Sequence, residues 1–398
     1  FGRIPPLSGE DDFGLVSGKD ITRRLALQVF SCVECGRCQQ HCPANNTGKE
    51  LNPKQIALGL RTWLNEHGPG ADHPLLGAHL SEEAVFQCTT CGACEQQCPV
   101  GIEHLPLIVG LRRGAVNTGR WEDDYGAQLF VRLERHGNPL GMAAGERDRF
   151  IQKHGLPWFD GSQEYCLWLG CMGAFDPRGR ETVLALARVL RARGAGFGVL
   201  RKEKCTGDAA RRLGNDLVFQ QLAEFNISQM QAVGVRKIIS VCPHCVQTIS
   251  ADWKEFGADF EVVHHSEWLA ANVSGGPAAD GTVAYHDPCY LGRYRGVYDA
   301  PRKVAALAGR LAEAPRRRDT SFCCGAGGGL VYLGEEKGAR VSHARAGELL
   351  ATGAQTIAVA CPFCRTMLED AVAALGGERA PKLADIAEIA ASHSCGGE

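Results

Sequence analysis

Eight cysteines in the first quarter of the chain restrict what it can fold into more than any other feature. They repeat the pattern C-x-x-C-x-x-C-x-x-x-C-P twice, as Cys32, Cys35, Cys38 and Cys42 and then as Cys88, Cys91, Cys94 and Cys98. Cysteines at this spacing wrap a short loop around an iron–sulfur cube, as in bacterial ferredoxins. The pattern therefore predicts a segment built around two 4Fe–4S cubanes, which store and pass single electrons.

The cysteine before proline in such a run usually ligates the cluster of the other run. We therefore define a first quartet, Cys32, Cys35, Cys38 and Cys98, and a second quartet, Cys88, Cys91, Cys94 and Cys42. Zinc is the alternative, but zinc sites normally show two C-x-x-C pairs per ion and not triplets followed by C-P. We expect an extended arm over residues 1–20 and a mostly helical, ferredoxin-like region over residues 21–115.

The 19 cysteines among 398 residues indicate metal binding in a reducing compartment. Six C-x-x-C spacings and an odd total fit metal thiolates better than the paired disulfides of a secreted protein. The formal net charge of −2 offers no basic surface, so no nucleic-acid partner is expected. No run of about 18 apolar residues could span a bilayer, and we expect a cytoplasmic protein, peripheral at the inner face of the cytoplasmic membrane.

After a connector over residues 116–163, strands and helices alternate. The expected strands are Tyr165–Gly170, Lys237–Val241, Phe260–Val263, Thr282–Tyr285 and Thr356–Ala360. Such alternation is typical of parallel α/β layers. Ligands bind beyond the carboxyl ends of the strands in these layers, and Cys171, Cys242 and Cys361 follow three of the expected strands.

The cysteines also indicate that this α/β half is duplicated. The matched pairs, at offsets of 118 or 119 residues, are Cys171 and Cys289, Cys205 and Cys323, Cys242 and Cys361, and Cys245 and Cys364. We name residues 164–275 the first repeat and residues 276–398 the second repeat, with a linker at Ser274–Gly281. The predicted fold class is α+β overall: a helical two-cluster ferredoxin-like domain followed by two duplicated α/β (βαβ) domains.

The second repeat carries five cysteines in a distinctive order: Cys289, the pair Cys323-Cys324 before Gly325, and Cys361-Pro-Phe-Cys364. With the phrases His286-Asp-Pro-Cys289 and Cys205-Thr206-Gly-Asp208, the chain resembles the iron–sulfur oxidoreductases with paired Cys-Cys-Gly domains. This family includes the B and D subunits of heterodisulfide reductase and the soluble half of electron-transfer-flavoprotein:menaquinone oxidoreductases. The phrases look most like the branch of the D subunit and the flavoprotein-linked proteins.

The resemblance implies a noncubane 4Fe–4S cluster in the second repeat. Its ligands and catalytic residues would be the second-repeat site, Cys289, Cys323, Cys324, Cys361 and Cys364. Five thiolates exceed the four corners of a cubane, so the extra ligand can hold an opened cluster with an iron that accepts a substrate sulfur. His286 is a further candidate catalytic residue that would move protons; orienting the turn that carries Cys289 is its alternative role.

The first repeat departs from this pattern, because Thr206 replaces the second cysteine of the pair. Its four cysteines, which we name the first-repeat site, are Cys171, Cys205, Cys242 and Cys245. Four thiolates suit either a further 4Fe–4S cluster or a zinc ion, and Thr206 cannot supply a fifth sulfur.

The resemblance implies an oxidoreductase component that relays electrons through the two cubanes to or from the noncubane centre. A flavoprotein or another redox protein would be its partner. A membrane cytochrome b, in a partner or in a segment before Phe1, would link it to quinone. Disulfide reduction at the noncubane centre is part of this hypothesis. The alternatives are a pure relay within a larger dehydrogenase complex, without a substrate of its own, and a zinc-stapled interaction protein.

Overall fold

The computed structural model describes residues 2–6, 9, 12–273, 281–334 and 337–394. The predicted linker lies outside these residues except for Gly281. Among the described helices, none combines the length and the apolar character needed to cross a membrane.

The N-terminal part is helical, as predicted. Its helices are α1 (Arg23–Phe30), α2 (Arg37–His41), α3 (Pro43–Asn46), α4 (Pro53–His67), α5 (Glu82–Phe86), α6 (Ala93–Gln96), α7 (His104–Asn117), α8 (Asp124–His136) and α9 (Ala144–Lys153). Helix α4 illustrates how the sequence forms them. Asn52 accepts a hydrogen bond from the Lys54 amide at 3.0 Å and caps the helix. The buried stripe Ile56, Leu60 and Trp63 then faces the core.

Each repeat contains one parallel sheet. The first repeat comprises β1 (Tyr165–Trp168), α10 (Gly170–Phe175), α11 (Pro177–Ala192), β2 (Phe197–Gly198), α12 (Asp208–Leu213), α13 (Asp216–Ala232), β3 (Lys237–Ser240), α14 (Pro243–Ser250), β4 (Glu261–His264) and α15 (His265–Asn272). The second comprises β5 (Thr282–Tyr285), α16 (Gly292–Arg295), α17 (Asp299–Ala305), β6 (Arg310–Leu311), α18 (Val341–Leu350), β7 (Thr356–Val359), α19 (Pro362–Gly376), β8 (Lys382–Asp385) and α20 (Ile386–Ser394).

The two sheets share one strand order, β2-β1-β3-β4 and β6-β5-β7-β8, and all their strand pairs are parallel. This matching topology and the helical N-terminal part confirm the predicted fold class. Strands β1, β3 and β7 end one or two residues before their predicted ends, because the chain there turns into the segments that carry Cys171, Cys242 and Cys361.

A buried hydrogen bond joins the two repeats. The ring Nε2 of His265 lies 3.0 Å from an oxygen of Asp385, and both side chains are fully buried. Nearby, Arg365 donates a hydrogen bond of 3.0 Å to the hydroxyl of Thr182, which links α19 to α11. These polar contacts are satisfied only when the repeats pack together, so they favour one arrangement of the pair.

Arg112 joins the ferredoxin-like region to both repeats. Its guanidinium donates to four carbonyl oxygens: those of Val85 at 3.0 Å, Cys88 at 2.6 Å, Arg212 at 3.0 Å and Gly328 at 3.1 Å. The side chain is fully buried. A buried charge is tolerated only when hydrogen bonds replace its hydration, so all three parts of the chain must stay in place around it.

Gly328 lets the second repeat come close to the backbone of Cys88. Its φ is +69°, and a Cβ atom built there would lie 2.3 Å from the carbonyl oxygen of Cys88. The second repeat and the second cysteine run therefore meet backbone to backbone, which only glycine permits.

We predict that Gly328→Ala destabilises the protein more than Gly234→Ala. Gly234 has a similar φ of +72° but nothing within 4 Å of its built Cβ, so its substitution costs only backbone strain, about 1–2 kcal/mol. At Gly328 the clash with a carbonyl adds about 1–3 kcal/mol. Thermal melting of the two purified variants measures the difference, and equal melting temperatures would show that the backbone contact is absent.

Candidate iron–sulfur centres

The first quartet lines one cavity near the surface. Cys32, Cys35, Cys38 and Cys98 all border it, and Cys35 is exposed. Gly36, at φ +78°, lets the loop curl into the start of α2. The structure thus brings together the four cysteines of this quartet, including Cys98 from the other run.

The second quartet lines a separate, buried cavity. Cys42, Cys88, Cys91 and Cys94 border it together with Gly92, and all four cysteines are buried. The exchange of the fourth cysteine between runs therefore holds in the geometry of both quartets. Whether these cysteines ligate iron remains a prediction.

Burial disfavours ionisation of several thiols in the two quartets. It raises the pKa of Cys38 to about 11 and is the largest influence on the pKa of Cys88, which also rises to about 11. The pKa of Cys42 rises further above its usual value for the same reason. Only bound cations would let several such thiols ionise together. A small cavity lined by four sulfur donors fits a 4Fe–4S cubane.

The second-repeat site gathers its five cysteines at the carboxyl ends of β5 and β7. They come from the loop after β5 (Cys289), the loop before α18 (Cys323 and Cys324) and the start of α19 (Cys361 and Cys364). All five are buried, and neighbouring thiols interact in a row from Cys289 through Cys323 and Cys324 to Cys364. The structure therefore collects the five donors that the noncubane hypothesis requires.

His286 lies against this site. One of its ring nitrogens and the sulfurs of Cys324 and Cys364 lie within 4.8 Å of one another. Arg345 donates from Nε to His286 Nδ1 at 3.0 Å, so Nδ1 carries the lone pair and the ring hydrogen sits on Nε2. Burial, and then the charge of Arg345, lower the pKa of His286 well below its usual value, and the ring is neutral. Nε2 has no hydrogen-bond partner among the described residues.

The first-repeat site also comes together. The thiol of Cys171 lies next to that of Cys205, and the thiol of Cys245 lies next to that of Cys242. Thr206 is buried beside them, held by a hydrogen bond of 3.1 Å from the Trp253 indole to its carbonyl oxygen. The four thiols form one cluster of donors, as the matched offsets predicted.

Sulfur contacts connect these sites to one another. The thiol of Cys91, in the second quartet, lies next to that of Cys323, in the second-repeat site, and both belong to one packed cluster. The thiol of Cys242, in the first-repeat site, lies next to that of Cys361. The second quartet and both repeat sites therefore form one continuous group of cysteines.

Sequence reasoning missed the side chains that surround this group. His244 stacks on Tyr290 with centroids 3.8 Å apart, and Tyr290 stacks on Tyr294 at 4.4 Å. Arg293 donates to the Cys91 carbonyl at 2.8 Å. The only signal that could have identified them is their position beside cysteines in the sequence. His244 lies inside a C-x-x-C segment, and Tyr290 follows Cys289. Arg345, on a distant helix, left no such signal.

Comparison with known protein families agrees with the cysteine patterns. A 4Fe-4S dicluster domain matches residues 28–102. A cysteine-rich domain, CCG, matches twice, at residues 165–250 and 283–369. A crystal structure of a hypothetical protein from Helicobacter pylori shares the fold, with a TM-score of 0.53 at 11% identity over 95% of this chain and 73% of that one.

Curated relatives extend the match over nearly the whole chain. The probable iron-sulfur-binding oxidoreductase FadF of Bacillus subtilis is 35% identical over 98% of this chain and 63% of its own length. The EtfAB:quinone oxidoreductase of Syntrophomonas wolfei is 35% identical over 95% of this chain and 60% of its own length. The chain thus spans less than two thirds of these two proteins.

A third relative is matched over nearly all of its own length. The D subunit of the dihydromethanophenazine:CoB--CoM heterodisulfide reductase of Methanosarcina mazei is 30% identical over 89% of this chain and 92% of its own length. The resemblance inferred from the cysteine segments is confirmed: the chain belongs to the family of iron–sulfur proteins with a 4Fe-4S dicluster domain and two cysteine-rich CCG domains that includes the D subunit of heterodisulfide reductase.

Proposed function

We propose that the chain is the electron-relay part of a flavoprotein- and quinone-linked oxidoreductase. Two cubane 4Fe–4S clusters, held by the first and second quartets, would pass electrons to or from a noncubane 4Fe–4S cluster in the second-repeat site. The first-repeat site would hold a further 4Fe–4S cluster, with zinc as the alternative. When bound, these clusters supply one-electron storage.

The observation that carries this proposal is the pair of sulfur contacts between sites. The contact of Cys91 with Cys323 puts the second quartet beside the second-repeat site. The contact of Cys242 with Cys361 adds the first-repeat site. Since Cys35 is exposed, the first quartet is where electrons would enter or leave the protein.

Residues around the sulfurs are suited to stabilise added negative charge. The backbone amide of Gly325 donates to the Cys323 sulfur at 3.3 Å, and that of Thr90 donates to the Cys88 sulfur at 3.3 Å. The buried cation Arg293 acts on the sulfurs of Cys91, Cys289 and Cys323. Donors and positive charge near the sulfurs favour the reduced state of a cluster.

The names of the relatives suggest the partners. One relative is the EtfAB:quinone oxidoreductase of Syntrophomonas wolfei, and another is a probable membrane-anchored ferredoxin of Chromohalobacter salexigens. We therefore propose a flavoprotein or another redox protein as one partner and a membrane cytochrome b linked to quinone as the other. This arrangement would hold the chain at the inner face of the cytoplasmic membrane.

Disulfide reduction is the second candidate function. It is favoured by the 30% identity to the D subunit of heterodisulfide reductase and by the five clustered cysteines of the second-repeat site. Such a reaction consumes two electrons and two protons and yields two thiols. Incubation with chemically reduced viologen and a small disulfide tests it: release of thiol supports this function, whereas viologen oxidation by a quinone or flavoprotein alone supports the pure relay.

We predict that Cys324→Ser removes the paramagnetic signal of the second-repeat site and about four irons per chain, because a noncubane cluster needs this fifth sulfur. Signals of both quartets should remain. Cys166→Ala is the matched control, since Cys166 is buried in β1 outside the four sites, and it should keep every signal. Unchanged electron transfer in Cys324→Ser would contradict the noncubane role.

We predict that His286 raises the reduction potential of the second-repeat centre through its Nε2 hydrogen. His286→Leu removes this donor and should lower the potential, whereas His286→Gln keeps an N–H donor and should lower it less. Arg345→Met leaves the ring but no longer fixes its hydrogen on Nε2, and it should give an intermediate value. Redox titration followed by paramagnetic resonance measures all three. If the three variants had the same reduction potential as the unaltered protein, His286 would have only a structural role.

A further inference from the structure

A cavity of about 370 Å³ adjoins the first-repeat site. Cys171 and Cys205 form part of its wall, together with Gly170 at the start of α10. Its size lies within the range of small-molecule sites in proteins. The sequence pointed to a substrate only at the second repeat, yet this cavity reaches the cysteines of the first.

The charged groups that line the cavity are mostly positive. Four cations, Arg147, Arg201, Lys202 and Lys204, face two carboxylates, Asp148 and Glu203. Backbone amides already occupy the carboxylate of Glu203, which accepts hydrogen bonds from the Leu169 amide at 3.2 Å and the Gly170 amide at 2.7 Å. The excess of positive charge therefore remains available to a ligand.

Two of these cations have unused binding capacity. Arg147 is 3% exposed, and its Nε has no hydrogen-bond partner among the residues that the structure describes. Its other nitrogens donate to the carbonyl oxygens of Leu200 and Arg201 and to Glu203. Lys202 is exposed and forms no ion pair with any described residue. A buried donor without a partner costs free energy unless a ligand supplies an acceptor.

Part of the remaining wall is apolar. Phe175, Phe225 and Ala174 line it, and the ammonium of Lys204 lies 4.1 Å from the Phe225 ring centroid. This arrangement suits a molecule with a flat apolar body and a negatively charged group.

We propose that this cavity binds a small organic anion with a planar apolar body and places it against Cys171 and Cys205. The charged group lies among Arg147, Arg201 and Lys202, and the flat body lies against the apolar part of the wall that includes Phe175 and Ala174. This binding site goes beyond the electron relay, since it needs only the side chains that line the cavity.

Calorimetric titration of the metal-loaded chain with 1-naphthyl phosphate and with 1-naphthol tests the site. The two probes share one ring system and differ in charge. We expect the phosphate to bind about tenfold more tightly or better. The double substitution Arg201→Glu and Lys202→Glu should weaken phosphate binding by about tenfold or more and leave naphthol binding nearly unchanged.

Two further variants separate charge from shape. Ala144 is exposed and lines the cavity, so Ala144→Trp should block both probes. Lys254→Glu reverses an exposed charge outside the cavity and should change neither affinity. Equal affinity for the two probes, or no binding of the phosphate below about 1 mM, overturns the proposal. Iron content, measured on the same samples, tests the proposed function separately.

Discussion

Sulfur donors gathered and buried in small cavities are the constraint on which the rest of the structure depends. Desolvation holds the pKa of cysteines such as Cys42 and Cys88 above the usual value. A cavity lined by several of them is stable as thiolates only if positive charge shares it. An iron–sulfur cluster would supply that charge, and the short loops and the left-handed glycines bring the sulfurs together around the space that it would fill.

A buried positive charge also holds the three parts of the chain together. Arg112 places one buried charge among carbonyl groups from the ferredoxin-like region and from both repeats. Gly328 removes the side chain that would keep the Cys88 backbone away. As a result the second quartet touches the second-repeat site instead of lying on a separate domain, so the electron transfer that we propose between them would not depend on a mobile linker.

The sequence predicted much of this arrangement because the informative features are local or periodic. The C-x-x-C-x-x-C-x-x-x-C-P runs predicted both quartets and the exchange of Cys42 and Cys98. The offsets of 118 or 119 residues between matched cysteines, such as Cys171 and Cys289, predicted the duplicated sheets. The strands ended slightly early, because apolar residues such as Val241 continue the pattern after the ladder hydrogen bonds stop.

Contacts between distant parts could not be predicted in this way. The approach of Cys91 to Cys323 depends on how the ferredoxin-like region docks, and no periodicity encodes a docking geometry. Arg345 reaches His286 across 59 residues, and an arginine within an ordinary helix gives no signal of that partner. The cavity beside Cys171 likewise combines α9, α10 and the loop before α12, which only the folded chain brings together.

The most direct test of the central claim is the iron, zinc and acid-labile sulfide content of protein purified without oxygen. Three or more 4Fe–4S clusters predict at least about 12 iron and about 12 sulfide per chain, with little zinc outside the first-repeat site. A fully folded preparation without iron or sulfide, or one with zinc in the two quartets, would contradict the account.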